Sequence, residues 1–426
     1  MKNLFILLLS LFASLSAFAK VSIEDCVKKA TANYPLINKY YLLENTKNID
    51  LAEINKSWLP RIGIFGQITG QNEVPAFPNS LNAMLDQMGQ SLKGMSKVQY
   101  KIGVDVSQNI WDGGNSKSQR ELARARDAVN QSALDVEMYS IRQRVESLFF
   151  AILLTEEQIA QNEITYRLLM KNLETLRSKI SNGVAMQSDA DMIEAQALTV
   201  SQGLVQAHSA VDGYRRVLEL FIGESLTGES LLMPSDDVLL NDGNFRPELQ
   251  LYANRLAANE AEKKFSETAL MPKIGLFAQA YYGYPGFDYF KSMRERSLSF
   301  NILAGIKVSW NIDAFYTRKD KAVRASVNEL DINADKELFL FNNKVMVTSQ
   351  RENIKGLRDM IKEDARIIEL RANVRRAAES QLENGVIDAT ALLTKISDEN
   401  SAQLSAKLHE IQLVKEIYNL KYITNQ

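Results

Sequence analysis

The sequence predicts an α+β membrane protein built from two tandem copies of one structural unit. Three observations lead to this fold class. Short motifs recur along the chain at fixed, long separations, four segments alternate between apolar and polar residues, and two very long segments contain almost no helix-breaking residue. Together they predict a unit with two β-strands and a long helical hairpin, present twice.

Matching motifs in the two halves of the chain lie at one constant separation in the first part of the repeat and at a second constant separation in the rest. The first matches lie 212 positions apart and the later ones lie 202 positions apart, so one loop is ten residues longer in the first copy. A long fixed period indicates one architectural unit made twice. The matched residues include Pro35 with Pro247, Leu59–Gly63 with Met271–Gly275, Phe65 with Phe277, Gly103-Val104 with Gly305-Ile306, and Asn182-Gly183-Val184 with Asn384-Gly385-Val386.

The repeat sets the predicted organisation of the chain. Residues 20–222 form the first structural repeat, 223–245 an inter-repeat linker and 246–426 the second structural repeat. Each repeat is expected to begin with a helix. The predicted elements that follow are strands at about 61–70 and 98–111, a long helix at about 117–181 and a return helix at about 188–222; then strands at about 273–282 and 299–312, a long helix at about 318–383 and a return helix at about 388–424.

The N-terminus predicts export. Residues 1–19 combine a positive charge at Lys2, a short apolar run over Leu4–Phe12 and the small-residue pattern Ala17-Phe18-Ala19, as in a secretory signal peptide. The mature chain is therefore expected to start at Lys20. The alternative is an N-terminal membrane anchor, but the apolar run is too short to span a bilayer comfortably.

Composition excludes several classes of function. Lys plus Arg is 50 and Asp plus Glu is 52, which gives no basic excess for a nucleic-acid partner. The single cysteine, Cys26, can form neither an intrachain disulfide nor a cysteine metal site. The two histidines, His208 and His409, have no visible ligand partner, and no phosphate loop or nucleophile motif occurs. We therefore expect no enzyme activity, no cofactor and no metal site.

Four segments alternate with a period of two, which gives each predicted strand one apolar and one polar face. In Val98–Ile110 the even positions are mostly apolar, and in Phe300–Ile312 the same holds. The segments have the length of membrane-spanning strands, about 9–11 residues. A soluble sheet packed on a helix is the alternative. Aromatic residues near the strand ends favour the membrane: Trp58, Trp111, Tyr281, Tyr282, Tyr284, Tyr289, Phe290 and Trp310.

Four strands cannot close a barrel, and open edges in lipid would leave backbone donors and acceptors unpaired. The chain is therefore predicted to be an obligate oligomer that shares one barrel. A dimer, trimer or tetramer would supply 8, 12 or 16 strands at four per chain. Periodicity does not choose among these three.

Two helices are predicted to be far longer than those of a globular domain. Residues 117–180 contain neither proline nor glycine and would form a rod of roughly 95 Å. Apolar residues recur every seven positions in both long segments, as in a coiled-coil seam. A cytoskeletal or dimerising coiled coil is the alternative, but it explains neither the strands nor the signal. The seam positions are Met138, Val145, Ile152, Ile159, Tyr166, Leu173 and Ile180, then Leu340, Val347, Ile354, Ile361, Ile368, Arg375 and Leu382.

In this order the motifs resemble the TolC-like outer-membrane efflux and secretion channels over the whole mature chain. The relevant residues are Leu59-Pro60 and Met271-Pro272 before the first strands, Asn109–Gly114 after the second strand, and the Gly-Val turns after the long helices. The resemblance implies a homotrimer with a shared 12-stranded barrel in the outer membrane and coiled-coil helices that form an α-barrel in the periplasm.

The resemblance also implies a function and its partners. The chain would be a channel-tunnel, the passive exit duct of a tripartite efflux pump or a type I secretion system, exporting small molecules or proteins. Expected partners are a periplasmic adaptor (a membrane fusion protein), an inner-membrane transporter of the RND, ABC or MFS type, and outer-membrane lipid. The alternative is a non-conducting, structural coiled-coil protein that spans the envelope.

Candidate residues follow from the same comparison. Members of the family narrow the periplasmic mouth with aspartates at positions that are Ala391 and Thr394 here, and the flanking Tyr and Arg correspond to Leu382 and Ile387. We therefore expect Asp189 and Asp388 to ring the aperture, although both could instead stabilise helix starts.

Two further sets of residues are candidates. The adaptor-docking turns are expected at Asn182-Gly183-Val184 and Asn384-Gly385-Val386, which would also end helices. The barrel lumen is expected to receive Lys101, Asp105 and Lys307, and an ordinary solvated face is the simpler explanation for these charges.

Overall fold

The computed structural model describes residues 20–89, 94–183, 185–235 and 243–426. The predicted signal peptide, residues 1–19, and the docking residue Val184 lie outside these ranges, as does part of the predicted linker. The chain divides into two compact units. A strand unit contains Leu43–Asn130 and Ala253–Asn333, and a helical unit contains the residues up to Leu42, Gln131–Tyr252 and Ala334–Gln426.

The strand unit contains a four-stranded antiparallel sheet. Its strands, in spatial order, are β2 Arg61–Gly70, β3 Val98–Trp111, β5 Lys273–Tyr284 and β6 Ser299–Ser309. Within the described residues β2 and β6 each pair with one neighbour only, so both are edge strands.

The end of β6 differs from the predicted one. Alternation predicts a strand to residue 312, but β6 stops at Ser309 and a 3₁₀ turn occupies Ile312–Phe315. The indole N–H of Trp310 donates to the carbonyl oxygen of Leu270 at 2.9 Å. The ladder ends at Ser309 because its partner Lys273 is the first residue of β5, and alternation of side chains does not reveal this limit.

One face of the sheet consists of exposed apolar side chains. The register places Ile62 opposite Val106, Val106 opposite Ala278 and Ala278 opposite Ala304, so the apolar positions of all four strands share a face. A soluble protein rarely exposes a continuous apolar patch of this kind. Large members of this face that remain exposed are Ile62 72%, Ile64 82%, Ile68 80%, Ile102 63%, Phe300 66%, Ile302 63%, Ile306 70% and Val308 66%.

Two short helices in the loops between the paired strands are absent from the sequence prediction. They are α3, Asn79–Gln87, and α7, Tyr289–Glu295. The first loop is joined to the end of β5, because the backbone N–H of Ser96 donates to the hydroxyl of Tyr284 at 2.8 Å. Tyr281 and Tyr284 are only 7% and 2% exposed, so these two rings are covered and cannot belong to an outward-facing aromatic girdle.

A long helix follows each strand pair, and a shorter return helix follows each long helix. The long helices are α4, Asn115–Ser181, and α8, Arg318–Glu383, and the return helices are α5, Gln187–Ile222, and α9, Ala389–Thr424. The start of α4 is capped by Asp112, whose carboxylate accepts from the backbone N–H groups of Gly114 and Ser116 at 3.0 and 2.7 Å. The capping acceptor is thus Asp112, which precedes the two glycines.

The remaining helices lie before each strand pair. They are α1, Ile23–Asn33, α2, Asn38–Lys56, and α6, Pro247–Glu267. In the helical unit a two-residue parallel pairing joins β1, Lys20–Val21, to β4, Ser230–Leu231. No helix in the described ranges has the length and apolar character needed to cross a membrane.

The two long helices contribute unequally to the core of the helical unit. Helix α4 buries large side chains such as Phe149, Phe150 and Ile152, each 1% exposed or less. Helix α8 buries Ile354 at 6% but leaves Leu338 and Phe341 at 59% and 65% exposed. Leu338 and Phe341 lie off the seven-residue seam of α8. The seam residue Ile354 packs with Leu413 and Ile417 of α9, so what α8 exposes in a single chain is a second set of apolar side chains.

Candidate functional site

The turn after each long helix is built around a glycine in the left-handed conformation. Gly183 has φ +75° and Gly385 has φ +70°, a region that side-chain-bearing residues rarely adopt. At the second turn the N–H of Val386 donates to the carbonyl of Gln381 at 2.8 Å and that of Gly385 to Leu382 at 3.1 Å. This pair of bonds is a Schellman motif, which satisfies helix-end carbonyls and fixes the reversal of the chain.

One hydrophobic cluster joins the two turns in the helical unit. It takes residues from α4, α5, α8 and α9, and so packs the ends of both hairpins together. Across it, the ammonium of Lys179 donates to the carbonyl oxygen of Leu382 at 3.4 Å. The buried members are Leu169, Leu173, Leu176, Ala190, Ile193, Ala197, Ala378, Ala389, Leu392 and Ile396.

The candidate docking residues lie on the exposed side of these turns. Asn182, Asn384 and both glycines are exposed, and Val386 is 69% exposed. The amide of Asn384 donates to the carbonyl of Ser380 at 2.8 Å, so this side chain is committed to ending the helix. Val386 is the large apolar side chain that the second turn presents to solvent.

The two candidate aperture carboxylates have different local roles. Asp388 is the N-cap of α9, and its carboxylate accepts from the backbone N–H of Ala391 at 2.8 Å. Asp189 lies in the first turn of α5 and does not cap it, since the N-cap there is Met186, which makes no side-chain cap bond. Capping therefore accounts for Asp388 but leaves the carboxylate of Asp189 available for other interactions.

The positions that carry polar groups in the family's mouth are occupied differently here. Leu382 and Ile387 are partly buried against the cluster that joins the turns. The hydroxyl of Thr394 donates to the carbonyl of Thr390 at 3.0 Å, within its own helix. Apolar packing thus occupies the places from which a polar latch would act.

A buried polar group beside the turns was missed by the sequence reasoning. Arg375, on the seam of α8, donates to the carboxylates of Glu399 and Glu379, the latter at 2.6 Å. Glu399 is 7% exposed and also accepts from Gln403 at 3.1 Å. The side chain of Gln161 continues the group by donating to Gln403 at 2.7 Å. The signal was present in the sequence, because Arg375 is the one charged residue among the seam positions.

The polar group distinguishes the two helical hairpins. At a separation of 202 positions, Arg375 corresponds to Leu173 and Glu399 to Ala197. Both first-copy residues belong to the cluster that joins the turns. The first hairpin is therefore held here by apolar contact, and the second by an ion pair.

The candidate lumen residues share the polar face of the sheet in the strand unit. Asp105 pairs with Gly63 and Gln279, and Lys307 pairs with Gly275, which pairs with Asn109, so both lie on the same face as Lys101. The ammonium of Lys101 lies 5.7 Å from the ring centre of Phe65 and 5.4 Å from that of Tyr281. The structure thus places the three charges on one face without bringing them together as an ion-binding cluster.

The described residues contain no group of three or more His, Cys, Asp or Glu side chains that could hold a metal ion. His409 lies 2.9 Å from the carboxylate of Asp364, which is a single pairing between α9 and α8. Burial raises the pKa of the Cys26 thiol to about 11. That thiol therefore remains protonated, and unreactive as a nucleophile, at neutral pH.

Comparison with solved structures identifies the fold. The chain is similar to the outer membrane protein VceC from Vibrio cholerae, with TM-score 0.67 and 10% identity over 94% of this chain and 95% of that one. It is also similar to the CmeC outer membrane channel of Campylobacter jejuni, with TM-score 0.65 and 12% identity over 94% and 85%. The open-state MtrE channel of Neisseria gonorrhoeae gives TM-score 0.62 and 13% identity over 94% and 88%.

These likenesses establish the fold, and the resemblance to TolC-like channels is confirmed at that level. No family model matches the sequence, and no curated protein matches it.

We predict that the Arg375–Glu399 pair can be replaced by the apolar residues of the first copy. Arg375→Leu alone leaves a buried carboxylate without its main partner and should reduce the free energy of unfolding by about 2 kcal/mol. The double variant Arg375→Leu/Glu399→Ala should recover most of that loss. Guanidinium unfolding in detergent, followed by circular dichroism, measures both. A double variant less stable than the single one would contradict the prediction.

Proposed function

We propose that this chain is one subunit of an outer-membrane channel-tunnel, the passive exit duct of a tripartite efflux pump or a type I secretion system. The observation on which the proposal rests is the sheet of the strand unit, with its exposed apolar face and two edge strands. The fold shared with outer-membrane channels supports the same conclusion. We infer no catalytic step in this component, because a duct needs none.

We propose that the four strands, contributed by a tandem duplication, complete a 12-stranded barrel in a homotrimer. In hydrocarbon, each unpaired backbone group costs several kcal/mol, so β2 and β6 require partners. The apolar face then meets outer-membrane lipid, and the face with Lys101, Asp105 and Lys307 lines an aqueous lumen. The loops with α3 and α7 would lie outside the cell.

We propose that the long helices form a periplasmic tunnel with those of the other subunits. The support is the set of apolar side chains that α8 exposes off its seam, such as Leu338 and Phe341. Large apolar side chains that stay exposed along a helix within one chain favour a covering partner, here a helix from another subunit. Two helical hairpins from each of three subunits would then surround one pore.

We propose that Asp189 and Asp388 line the periplasmic aperture. Asp189 has no capping role, and Asp388 is exposed while it caps α9. Rings of carboxylates favour cations in a pore. Closure would depend on apolar packing of Leu382 and Ile387, in place of the polar groups found in other members of the fold.

We propose that the two turns, Asn182-Gly183-Val184 and Asn384-Gly385-Val386, dock a periplasmic adaptor. Their support is that one hydrophobic cluster holds both turns, which would give an adaptor a single rigid surface. An inner-membrane transporter of the RND, ABC or MFS type would supply the energy and determine the substrate.

The alternative is a non-conducting structural protein that spans the envelope. The two proposals differ in one measurable property. Purified oligomers of a duct produce stepwise conductance in planar bilayers, whereas a structural protein produces none.

We predict that substitution by asparagine removes the negative charge at the aperture and keeps the helix cap that Asp388 provides. Asparagine caps helices about as well as aspartate, so Asp189→Asn/Asp388→Asn removes charge and preserves the fold. Single-channel recording should show weaker block by multivalent cations in this variant. Asp359→Asn, at an exposed carboxylate of α8, is the control and should leave block unchanged. Unaltered block in the double variant would reject the aperture assignment.

We predict that charge at the second turn prevents docking. Val386→Asp should abolish export and crosslinking to the adaptor, because the exposed apolar side chain is replaced by an anion. Val386→Ile, which keeps the apolar character, should export normally. Both variants should form trimers of wild-type stability. Loss of trimers with Val386→Asp would instead mean that the turn has a structural role only.

A further inference from the structure

Glu146, in the middle of α4, is buried with one oxygen unpaired. It is 4% exposed, and its Oε1 accepts from Nε of Arg142 at 2.8 Å. Its Oε2 is sealed from solvent and has no hydrogen-bond partner within the described residues. A buried oxygen without a partner costs free energy, and it costs far more when it belongs to an anion.

Helix α1 covers this carboxyl. A cavity of about 260 Å³ beside it is lined by Ile23, Glu24, Val27 and Lys28 of α1, together with Arg142, Glu146 and Tyr418. Ile23 is 1% exposed. Displacement of the first turns of α1, a helix of 11 residues, from α4 and α9 would open this cavity to water. The last turn is held separately, because the amide of Asn33 donates to the carbonyl oxygens of Leu220 and Phe221 in α5 at 3.3 and 3.1 Å.

The charged and titratable groups around Glu146 come from all three helices. From α1, the carboxylate of Glu24 accepts from the hydroxyl of Tyr418 at 2.6 Å, and Lys28 lines the cavity. From α9, the ammonium of Lys421 lies 4.4 Å from the ring centre of Tyr418. Tyr139 and Arg142 come from α4 itself, and among them only Arg142 bonds to Glu146.

Burial affects the pKa of Glu146 more than the neighbouring charges do. Desolvation raises the pKa of Glu146, against the opposing effects of the Arg142 hydrogen bond and the positive charges of Arg142 and Lys421. Glu24 raises it further, because a second carboxylate repels the first. The neutral acid is therefore the form that the folded chain favours over a wider pH range than an exposed glutamate would allow.

We propose that Glu146 is a proton-controlled clamp on the N-terminal helix: with Oε2 protonated, α1 stays packed on α4 and α9, and ionisation opens this junction. Loss of the proton places a negative charge on a buried carboxyl that Arg142 bonds at Oε1 only, and displacement of α1 hydrates Oε2. Because folding raises the pKa of Glu146, the stability due to protonation is present at acidic pH and is lost as pH rises through the folded-state value.

Hydrogen exchange in α1 tests the clamp on the intact oligomer. Protection of the amides in the middle of α1, corrected for the intrinsic pH dependence of exchange, should fall by up to about tenfold per pH unit between the pKa of an exposed glutamate and the folded-state pKa, and level off above it. Glu146→Gln is a neutral isostere that keeps the acceptor for Arg142, and it should abolish this pH dependence. Glu137→Gln, at a carboxylate of α4 with a 60% exposed side chain, is the matched control and should retain it.

Infrared difference spectroscopy provides a readout that does not depend on the variant's stability. Wild-type protein should show the carbonyl band of a protonated, buried carboxyl that disappears over the same pH range in which α1 loses protection. The inference is overturned if wild-type α1 keeps constant protection from about pH 5 to about pH 9, or if Glu146→Gln retains the wild-type pH dependence.

Discussion

The constraint on which the structure depends is that a strand must pair both of its edges when no water is present. The sheet ends in β2 and β6, each with one neighbour in the described part of the chain, and one of its faces is apolar and exposed. Either feature alone has ordinary explanations. Their combination is unfavourable in water, because the face is uncovered, and unfavourable in lipid, because the edges are open. Assembly with further copies would pair the edges and lipid would cover the apolar face, so the chain's proposed function requires an oligomer in a membrane.

In the helical unit the two hairpins bury their apolar side chains to different extents. The first hairpin buries large apolar residues of α4, whereas the second hairpin leaves apolar residues of α8 such as Leu338 exposed and pairs Arg375 with Glu399. Glycines with positive φ end both long helices, and a shared cluster fixes the turns. Equivalent positions thus keep the same backbone while their side chains diverge. This divergence is expected where one hairpin faces its own chain and the other faces a neighbour.

The sequence predicted much of this architecture because long periodic segments are its strongest signal. Alternation with a period of two indicated the strands, and the absence of proline and glycine indicated the long helices. Features set by tertiary contacts were not predictable: β6 ends opposite the first residue of β5, and Tyr281 and Tyr284 lie under loop residues. At the turns the glycines were recognisable from sequence. The Arg375 group and the orphaned oxygen of Glu146 depend on which helices meet, which local patterns do not encode.

Native mass spectrometry of protein released from outer membranes in mild detergent tests the central claim most directly. If β2 and β6 are closed by other copies, the intact species has the mass of three chains, and no monomer that retains its strands is found. A folded single chain, stable in detergent with the edge-strand amides protected from exchange, would contradict the account.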